Sequence, residues 1–141
     1  MIRKASAVWQ GDLKSGSGTM TAPSGVMTDA AYSFATRFEE KPGTNPEELV
    51  AAAHAGCFSM ALSAELAKAG MTPARVETTA AVTLETVDGK PTVSKSHLTV
   101  RARVPGADPA RFAEVANGAR AGCPISRLLR AEITMEATLE S

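Results

Sequence analysis

The stretch TNPEELVAAAHAGCFSMALSAELAKAG, residues 44–70, decides the fold of this chain. It is rich in Ala, Leu, Met and Glu and poor in β-branched residues, which predicts a long helix from Pro46 to Ala69. Asn45 is a good N-cap, and a proline suits the first helical position. Glu48 stands three residues after the cap, where the carboxylate of a capping box belongs. The start of this helix is therefore well specified.

The residues before this helix alternate between short β-prone runs and turn-forming segments. Strands are predicted at Ala5 to Gln10, Gly18 to Ala22 and Tyr32 to Phe38. The segments between them are rich in Gly, Ser and Pro, which favour turns. This pattern is typical of a β-meander.

Two long strands are predicted after the helix, from Val76 to Val87 and from Val93 to Val104. Both segments largely alternate apolar and polar residues, as half-buried strands do. The loop between them opens with Asp88-Gly89, a dipeptide that favours the tight turn of a hairpin. The two strands should therefore pair with each other.

Shorter elements complete the chain: a helix from Asp108-Pro109 to about Ala121, a short helix opening near Pro124, and a strand from Ile133 to Leu139. Strands and helices in blocks, without a βαβ rhythm, predict an α+β fold with long helices packed on one face of a mostly antiparallel sheet. No internal repeat or linker stands out, so we expect a single domain over residues 1–141.

Composition and charge argue against several classes of protein. Fifteen basic and fifteen acidic residues cancel, and no Lys/Arg cluster stands out, so no nucleic-acid partner is expected. The first residues lack the apolar run of a signal peptide, and the longest apolar stretch is broken by His54, Ser59 and Ser63, so we expect a cytoplasmic protein without a membrane span. The core should be aliphatic, since aromatic residues make up only 4% of the chain. A single chain of this size can leave part of such a core uncovered, so a subunit interface is possible.

The two cysteines are the first candidates for chemistry. Cys57 lies in the middle of the long helix, and Cys123 lies at the start of the predicted short one. A helix N-terminus lowers the pKa of a nearby thiol, and this rule by itself favours Cys123 as the thiolate. For Cys57 to ionise near neutral pH, a cation must reach it from another part of the chain, and Arg37 is a candidate.

Two carboxylates in the first turn of the long helix differ in helical phase. Glu48 faces away from Cys57, whereas Glu47 lies about 80° from the face that carries this cysteine. Ten residues at about 1.5 Å each still separate Glu47 from Cys57 by roughly 15 Å along the helix. A role for Glu47 in a site at Cys57 would require a long arginine side chain or a dimer interface.

Several segments in this order resemble the OsmC family of osmotically inducible hydroperoxide reductases: Arg37-Phe38-Glu39, GTNPEEL at 43–49, AAHAGCFSMAL at 52–62 and AGCPIS at 121–126. The runs AVWQGDLKSGSG and LLRAEIT are also similar to that family, so the resemblance spans nearly the whole chain. The sister group Ohr carries its activating arginine in an earlier loop. The place of Arg37, followed by GTNPEEL, therefore resembles OsmC proper.

This resemblance implies an intertwined homodimer with two active sites at its interface. It implies Cys57 as the peroxidatic thiol, Cys123 as the resolving thiol, and an ion pair of Arg37 with Glu47 near the sulfur. The implied reaction reduces organic hydroperoxides, and hydrogen peroxide less well, through a Cys57 sulfenic acid and a Cys57–Cys123 disulfide, in oxidative or osmotic stress defence. An external dithiol, such as a dihydrolipoyl protein, would reduce the disulfide, and no metal or other cofactor is needed.

Two other functions remain open. A zinc-binding module could use His54 and Cys57, on one face of the long helix, together with His97 and Cys123. Zinc sites usually pair closely spaced ligands, however, and His97 stands alone on a strand, so we interpret His54 as a structural histidine bonded to backbone or to a partner side chain. The other alternative is a non-catalytic, dimeric binding protein of the same fold.

Overall fold

The computed structural model describes residues 1–140. They form two compact units, one over Met1–Leu49 and the other from Val50 onward. Each unit has a three-stranded sheet of its own. The expectation of a single domain over the whole chain stays a prediction.

The first unit contains β1 (Ser6–Gln10), β2 (Ser17–Thr21) and β3 (Ala30–Tyr32). β2 lies in the middle of the sheet and pairs antiparallel with both neighbours. Strands that follow one another along the chain are thus neighbours in the sheet. The predicted meander is confirmed.

The prediction of a strand from Tyr32 to Phe38 was wrong for most of that segment. After β3, residues Phe34–Phe38 form the short helix α1. The side chain of Ser33 accepts a hydrogen bond from the backbone N–H of Thr36, and the Thr36 hydroxyl accepts one from the N–H of Ser33. This capping box starts a helix directly after the strand and overrides the strand propensity of the aromatic residues.

The long helix α2 spans Pro46–Lys68, within one residue of the prediction. The side-chain oxygen of Asn45 accepts a hydrogen bond of 2.8 Å from the N–H of Glu48, as an N-cap should. The Asn45 amide nitrogen donates at 3.1 Å to the carbonyl of Thr36 in α1. The Glu48 carboxylate accepts the hydroxyl of Thr44 at 2.9 Å, so it stabilises the loop before the helix.

The second unit is built on the hairpin of β4 (Arg75–Val87) and β5 (Lys90–Arg103). Asp88 and Gly89 have φ of 50° and 76°, the conformation of a two-residue type I′ turn, so the predicted hairpin is confirmed. The second strand starts at Lys90 rather than at the expected Val93. Proline is tolerated at position 91 because β5 acquires a second neighbour only from Lys95 onward, which leaves one edge free there.

The remaining elements are α3 (Pro109–Gly122), α4 (Pro124–Leu128) and β6 (Glu132–Glu140), each close to its prediction. Asp108 caps α3 by accepting the N–H of Arg111 at 2.9 Å. β6 pairs parallel to β5, which is possible because the two helices form the long connection that a parallel pair needs. The other strand pairs are antiparallel, and the α+β class is confirmed.

The core of the second unit covers one face of its sheet. Buried residues alternate along β5, at Ser96, Leu98, Val100 and Ala102, so the helices lie against this face. From the helices, the buried apolar residues are Phe58, Leu62, Leu66, Phe112, Ala116 and Ala119. The expectation of helices packed on one face of the sheet is confirmed for this unit.

Helix α2 buries only a narrow stripe of its surface within the chain. Every fourth residue from His54 to Leu66 is buried, namely His54, Phe58, Leu62 and Leu66. Other apolar positions are exposed, and the side chain of Met60 is 77% exposed. By length and composition α2 could also cross a membrane, a test that the core helix of a soluble protein passes as well.

Candidate active site

The fold of the second unit brings the two cysteines into contact. The two thiols are in hydrogen-bond contact, and their Sγ atoms are 2.9 Å apart. Cys57 is partly exposed on α2, whereas Cys123 is fully buried. Both are free thiols, placed so that an oxidised sulfur on one meets the other directly.

The backbone of Cys123 is fixed from both sides because this residue joins two helices. Its N–H donates to the carbonyl of Ala119 at the end of α3, at 2.9 Å. Its carbonyl accepts the N–H of Arg127 in α4 at 3.0 Å. Pro124 occupies the first position of α4, where its fixed φ suits a helix start. The sequence Gly-Cys-Pro therefore places the buried thiol at a helix junction.

The surroundings of Cys57 within its unit oppose ionisation. Burial raises the pKa of the Cys57 thiol, and the adjacent Cys123 sulfur raises it further. A backbone hydrogen bond from Ile125 lowers the pKa, because a donated N–H favours the thiolate, but it does not offset the burial. Among the described residues of this unit, no positively charged side chain contributes to the pKa of Cys57. Within this unit the neutral thiol of Cys57 is therefore favoured.

The start of α4 bears on the expectation from helix termini. The general rule favoured Cys123, the residue at the start of α4. The side chain of Cys123 makes no capping hydrogen bond, however, whereas the backbone of Ile125 is among the causes that lower the pKa of Cys57. Which of the two thiols ionises first therefore stays a prediction.

Arg37 and Glu47 form an ion pair in the first unit. The Nη2 atom of Arg37 is 2.8 Å from Oε1 of Glu47, and its Nε is 3.1 Å from the same oxygen. The Glu47 side chain is 12% exposed and that of Arg37 is 36% exposed, so part of the guanidinium stays accessible. The guanidinium carbon also lies 5.1 Å from the centre of the Phe38 ring. The ion pair implied by the family resemblance is present, and it fixes the orientation of Arg37.

An apolar pocket of about 220 Å³ lies beside Arg37 in the first unit. Its other walls are mainly aromatic and aliphatic: Trp9, Leu13, Tyr32, Phe34 and Phe38. The only Trp, the only Tyr and two of the four Phe of the chain thus line one pocket. Sequence reasoning missed it, although the concentration of aromatic residues before position 40 was a usable signal.

His54 is fully buried and both of its ring nitrogens have partners. Nδ1 is 2.7 Å from the Ser96 hydroxyl, and Nε2 is 2.8 Å from the Ser126 hydroxyl. Burial lowers the pKa of His54, because the charged ring would lose its hydration. The expectation of a structural histidine bonded to a partner is confirmed.

The structure does not bring the four possible zinc ligands together. His54 already binds two hydroxyls, and Nδ1 of His97 is 2.6 Å from the hydroxyl of Thr134 on β6. Within residues 1–140, no group of three or more His, Cys, Asp or Glu side chains is arranged to hold a metal ion. The arrangement of ligands therefore gives the zinc-binding alternative no support.

Comparison with known proteins gives consistent matches. The family model of OsmC-like proteins matches residues 38–138 of this chain. Proteins named Peroxiredoxin OsmC, from Escherichia coli (strain K12) and from Shigella flexneri, are 49% identical to it over 139 residues. These alignments cover 99% of this chain and 97% of each relative.

Solved structures share the fold at lower sequence identity. An OsmC-like protein from Mycoplasma pneumoniae superposes with a TM-score of 0.76 at 16% identity, covering 100% of this chain and 99% of that one. The organic hydroperoxide resistance protein OhrB of Bacillus subtilis gives 0.62 at 24% identity, with 97% and 98% covered. At such identities these likenesses establish the fold.

The neutral state of His54 predicts a loss of stability in mild acid. The unfolded chain takes up a proton on this residue below about pH 6.5, whereas the folded chain resists protonation because its pKa is lower. The contribution of neutral His54 to the free energy of unfolding is complete above that pH, and it is lost as the pH falls toward the pKa of the folded state. Urea unfolding at about pH 8 and about pH 5.5 should show a smaller decline for His54→Gln than for the wild type. His97→Gln controls for loss of a histidine, and equal declines in all three proteins would contradict this account.

Proposed function

Since this chain belongs to the OsmC family and is a peroxidase by its similarity to peroxiredoxins over nearly its full length, we propose that it reduces organic hydroperoxides with Cys57 as the attacking thiolate. In this proposal Cys123 is the resolving thiol, and Arg37, oriented by Glu47, supplies the positive charge. An external dithiol, such as a dihydrolipoyl protein, regenerates the enzyme. We place this activity in the cytoplasm, in oxidative or osmotic stress defence.

The contact between the two sulfur atoms carries the proposal. Two free thiols at 2.9 Å, one partly exposed and the other fully buried, differ in their access to a dissolved peroxide. The exposed sulfur of Cys57 can meet a peroxide first, while the buried sulfur of Cys123 can meet only its neighbour. This difference in burial supports the assignment of attack to Cys57 and of resolution to Cys123.

The proposed reaction has two steps on the protein. The Cys57 thiolate attacks the distal peroxide oxygen, the O–O bond breaks, and the alkoxide leaves and takes up a proton to become the alcohol. Cys57 is then a sulfenic acid. The thiol of Cys123 attacks this sulfur, a disulfide forms, and the hydroxyl leaves as water with the proton of Cys123. The external dithiol reduces the disulfide and is itself oxidised.

Arg37 supplies what the second unit lacks. Burial raises the pKa of Cys57, so the thiolate needs a nearby cation to form at neutral pH. A guanidinium stays charged, and the fork of bonds to Glu47 holds it in one orientation while leaving part of it accessible. The same cation would stabilise the negative charge that develops on the leaving oxygen.

The exposed face of α2 supports a homodimer. This helix is apolar, yet only about a fifth of its most apolar window (22%) is buried within the chain. Its exposed apolar and small residues include Ala53, Gly56, Met60, Ala64 and Ala67. A second copy of the chain could cover this face, and active sites built at such an interface would combine residues of both subunits.

The aromatic pocket beside Arg37 supports a preference for organic peroxides. Its apolar walls can bind the hydrocarbon group of an alkyl hydroperoxide by the hydrophobic effect. Hydrogen peroxide has no such group and gains nothing from these walls. The volume of about 220 Å³ suits a small alkyl or aryl group.

Serine substitutions of the two cysteines should have different effects. Cys57→Ser should abolish peroxide consumption, whereas Cys123→Ser should react once and accumulate an oxidised Cys57, because only the resolving thiol is missing. Stopped-flow consumption of cumene hydroperoxide with intact-mass analysis measures both. Loss of the single turnover in Cys123→Ser would reverse the roles. A wild-type protein that loses no thiols under peroxide would instead be a binding protein of the same fold.

Removal of the arginine charge should impair the first step. In a Cys123→Ser background, which leaves one thiol, Arg37→Ala should raise the pKa of Cys57 and slow peroxide attack by about a hundredfold. Higher pH should restore only part of the rate, because the negative charge that develops on the leaving oxygen also loses the guanidinium that would stabilise it. Glu47→Gln should be milder, since it keeps the cation. Alkylation of Cys57 as a function of pH tests this, and an unchanged pKa in Arg37→Ala would remove Arg37 from the mechanism.

The wild type should sediment as a dimer at micromolar concentration, and Met60→Glu should weaken it. A charge on the exposed face of α2 would be buried without a partner in the proposed interface, at a cost of several kcal/mol. Val87→Glu, at another exposed apolar residue near the tip of the hairpin, is the matched control. A fully active monomer would refute the dimer.

A further inference from the structure

We propose that the hydrogen bond between His54 and Ser126 holds α4 against α2 and thereby sets how fast Cys123 resolves an oxidised Cys57. This inference rests on the proposed function, because it concerns the second step of that reaction. His54 and Ser126 are positioning residues here, since neither needs to touch the peroxide or the reacting sulfur atoms.

Two contacts between α2 and the start of α4 lie side by side. His54 and Cys57 are three residues apart on α2, so they share a helix face about one turn apart. Cys123 and Ser126 are likewise three residues apart, at the cap and within α4. The bond from His54 to Ser126 and the contact from Cys57 to Cys123 therefore form neighbouring links between the same two helices.

Apart from the buried Cys123 at its cap and Ile125, which packs against the core, helix α4 has few buried residues. Of its residues, all of which the structure describes, only Ser126 is buried. Ile125 is half-buried and Leu128 is exposed. A helix of five residues has no stability of its own, so its position depends on tertiary contacts. The His54 bond is the buried polar contact that can fix it.

His54 itself is a rigid anchor. Its ring is fully buried, and its other nitrogen binds Ser96 in the middle of β5 at 2.7 Å. A neutral imidazole has one donor and one acceptor nitrogen, and the two hydroxyls satisfy both. The bond thus ties α4 to α2 and, through Ser96, to the sheet. Loss of either hydroxyl leaves a buried nitrogen without a partner.

The position of α4 matters most after the peroxide has reacted. The Cys57 sulfenic acid can condense with the Cys123 thiol, which forms the disulfide and releases water. It can instead react with a second hydroperoxide, which gives the sulfinic acid and one more alcohol. Sulfur atoms that start 2.9 Å apart need little movement to reach the bond length of about 2.05 Å. A displaced α4 would slow condensation and leave more sulfinic acid.

The ratio of sulfinic acid to disulfide at Cys57 tests this inference. Reduced protein is treated with increasing cumene hydroperoxide, and the two products are measured by mass spectrometry. The peroxide concentration at which the two products are equal should be about five- to tenfold lower for Ser126→Ala than for the wild type. Ser126→Thr keeps a hydroxyl and should restore much of the wild-type ratio. Because only the partition of one intermediate is compared, a slower first step does not affect the ratio.

Ser59→Ala is the matched control. Ser59 lies on the same helix, two residues from Cys57, and its hydroxyl donates to the Ala55 carbonyl at 2.9 Å and lies 2.8 Å from the hydroxyl of Thr78 on β4. This variant loses a comparable hydrogen bond but keeps the bond between His54 and Ser126 that holds α4. Its product ratio should therefore match that of the wild type. An equal shift in Ser59→Ala and Ser126→Ala would overturn the inference, because general loosening of α2 would then explain both.

Other outcomes separate the inference from the proposed function. If the wild type forms a disulfide and Ser126→Ala gives the same product ratio, the inference alone fails. If the wild type forms no disulfide with any peroxide, the proposed function fails first. Should Ser126→Ala not fold, Ser96→Ala decides in its place: it frees the opposite side of the His54 ring and should shift the ratio in the same direction.

Discussion

Burial of one narrow stripe of α2 against the face of β5 is the constraint on which the second unit depends. Phe58, Leu62 and Leu66 fill the apolar part of the contact, and His54 continues the stripe with a polar group that both neighbours satisfy. A buried imidazole is tolerated only with both nitrogens paired, so the hydroxyls on β5 and α4 are fixed relative to the helix. Cys57 lies at the border of this stripe, which explains why its sulfur is half-buried rather than hidden.

In the proposed function, the two units contribute different groups. The second unit supplies a sulfur, a buried partner at contact distance and an environment that raises the pKa of the sulfur. The first unit supplies a permanently charged guanidinium, held by a carboxylate, and an apolar pocket beside it. A low-dielectric site with a fixed cation strengthens the interaction of that cation with a thiolate. The same burial that disfavours the unassisted thiolate would therefore make an approaching cation more effective.

Local sequence rules predicted well where local interactions decide. The cap at Asn45, the turn at Asp88-Gly89 and the start of α3 at Asp108 were all found from short-range chemistry, and each is formed by hydrogen bonds or dihedrals of nearby residues. The same level of reasoning failed after Tyr32, where propensity favoured a strand but Ser33 and Thr36 cap a helix. The residues of that capping box can be found in the sequence, but the prediction gave them too little weight against the strand propensity of the aromatic residues.

The sequence by itself determined the class of the fold and the two cysteines as the candidates for chemistry. Through its resemblance to a family, it also determined the ion pair of Arg37 with Glu47. These features depend on composition, periodicity and short motifs, which a linear reading contains. Only the tertiary structure decided that His54 binds Ser126 and that aromatic residues spread over the first unit line one pocket. Each of these joins residues from different elements, and the distance between such residues is set by packing, which no local pattern encodes.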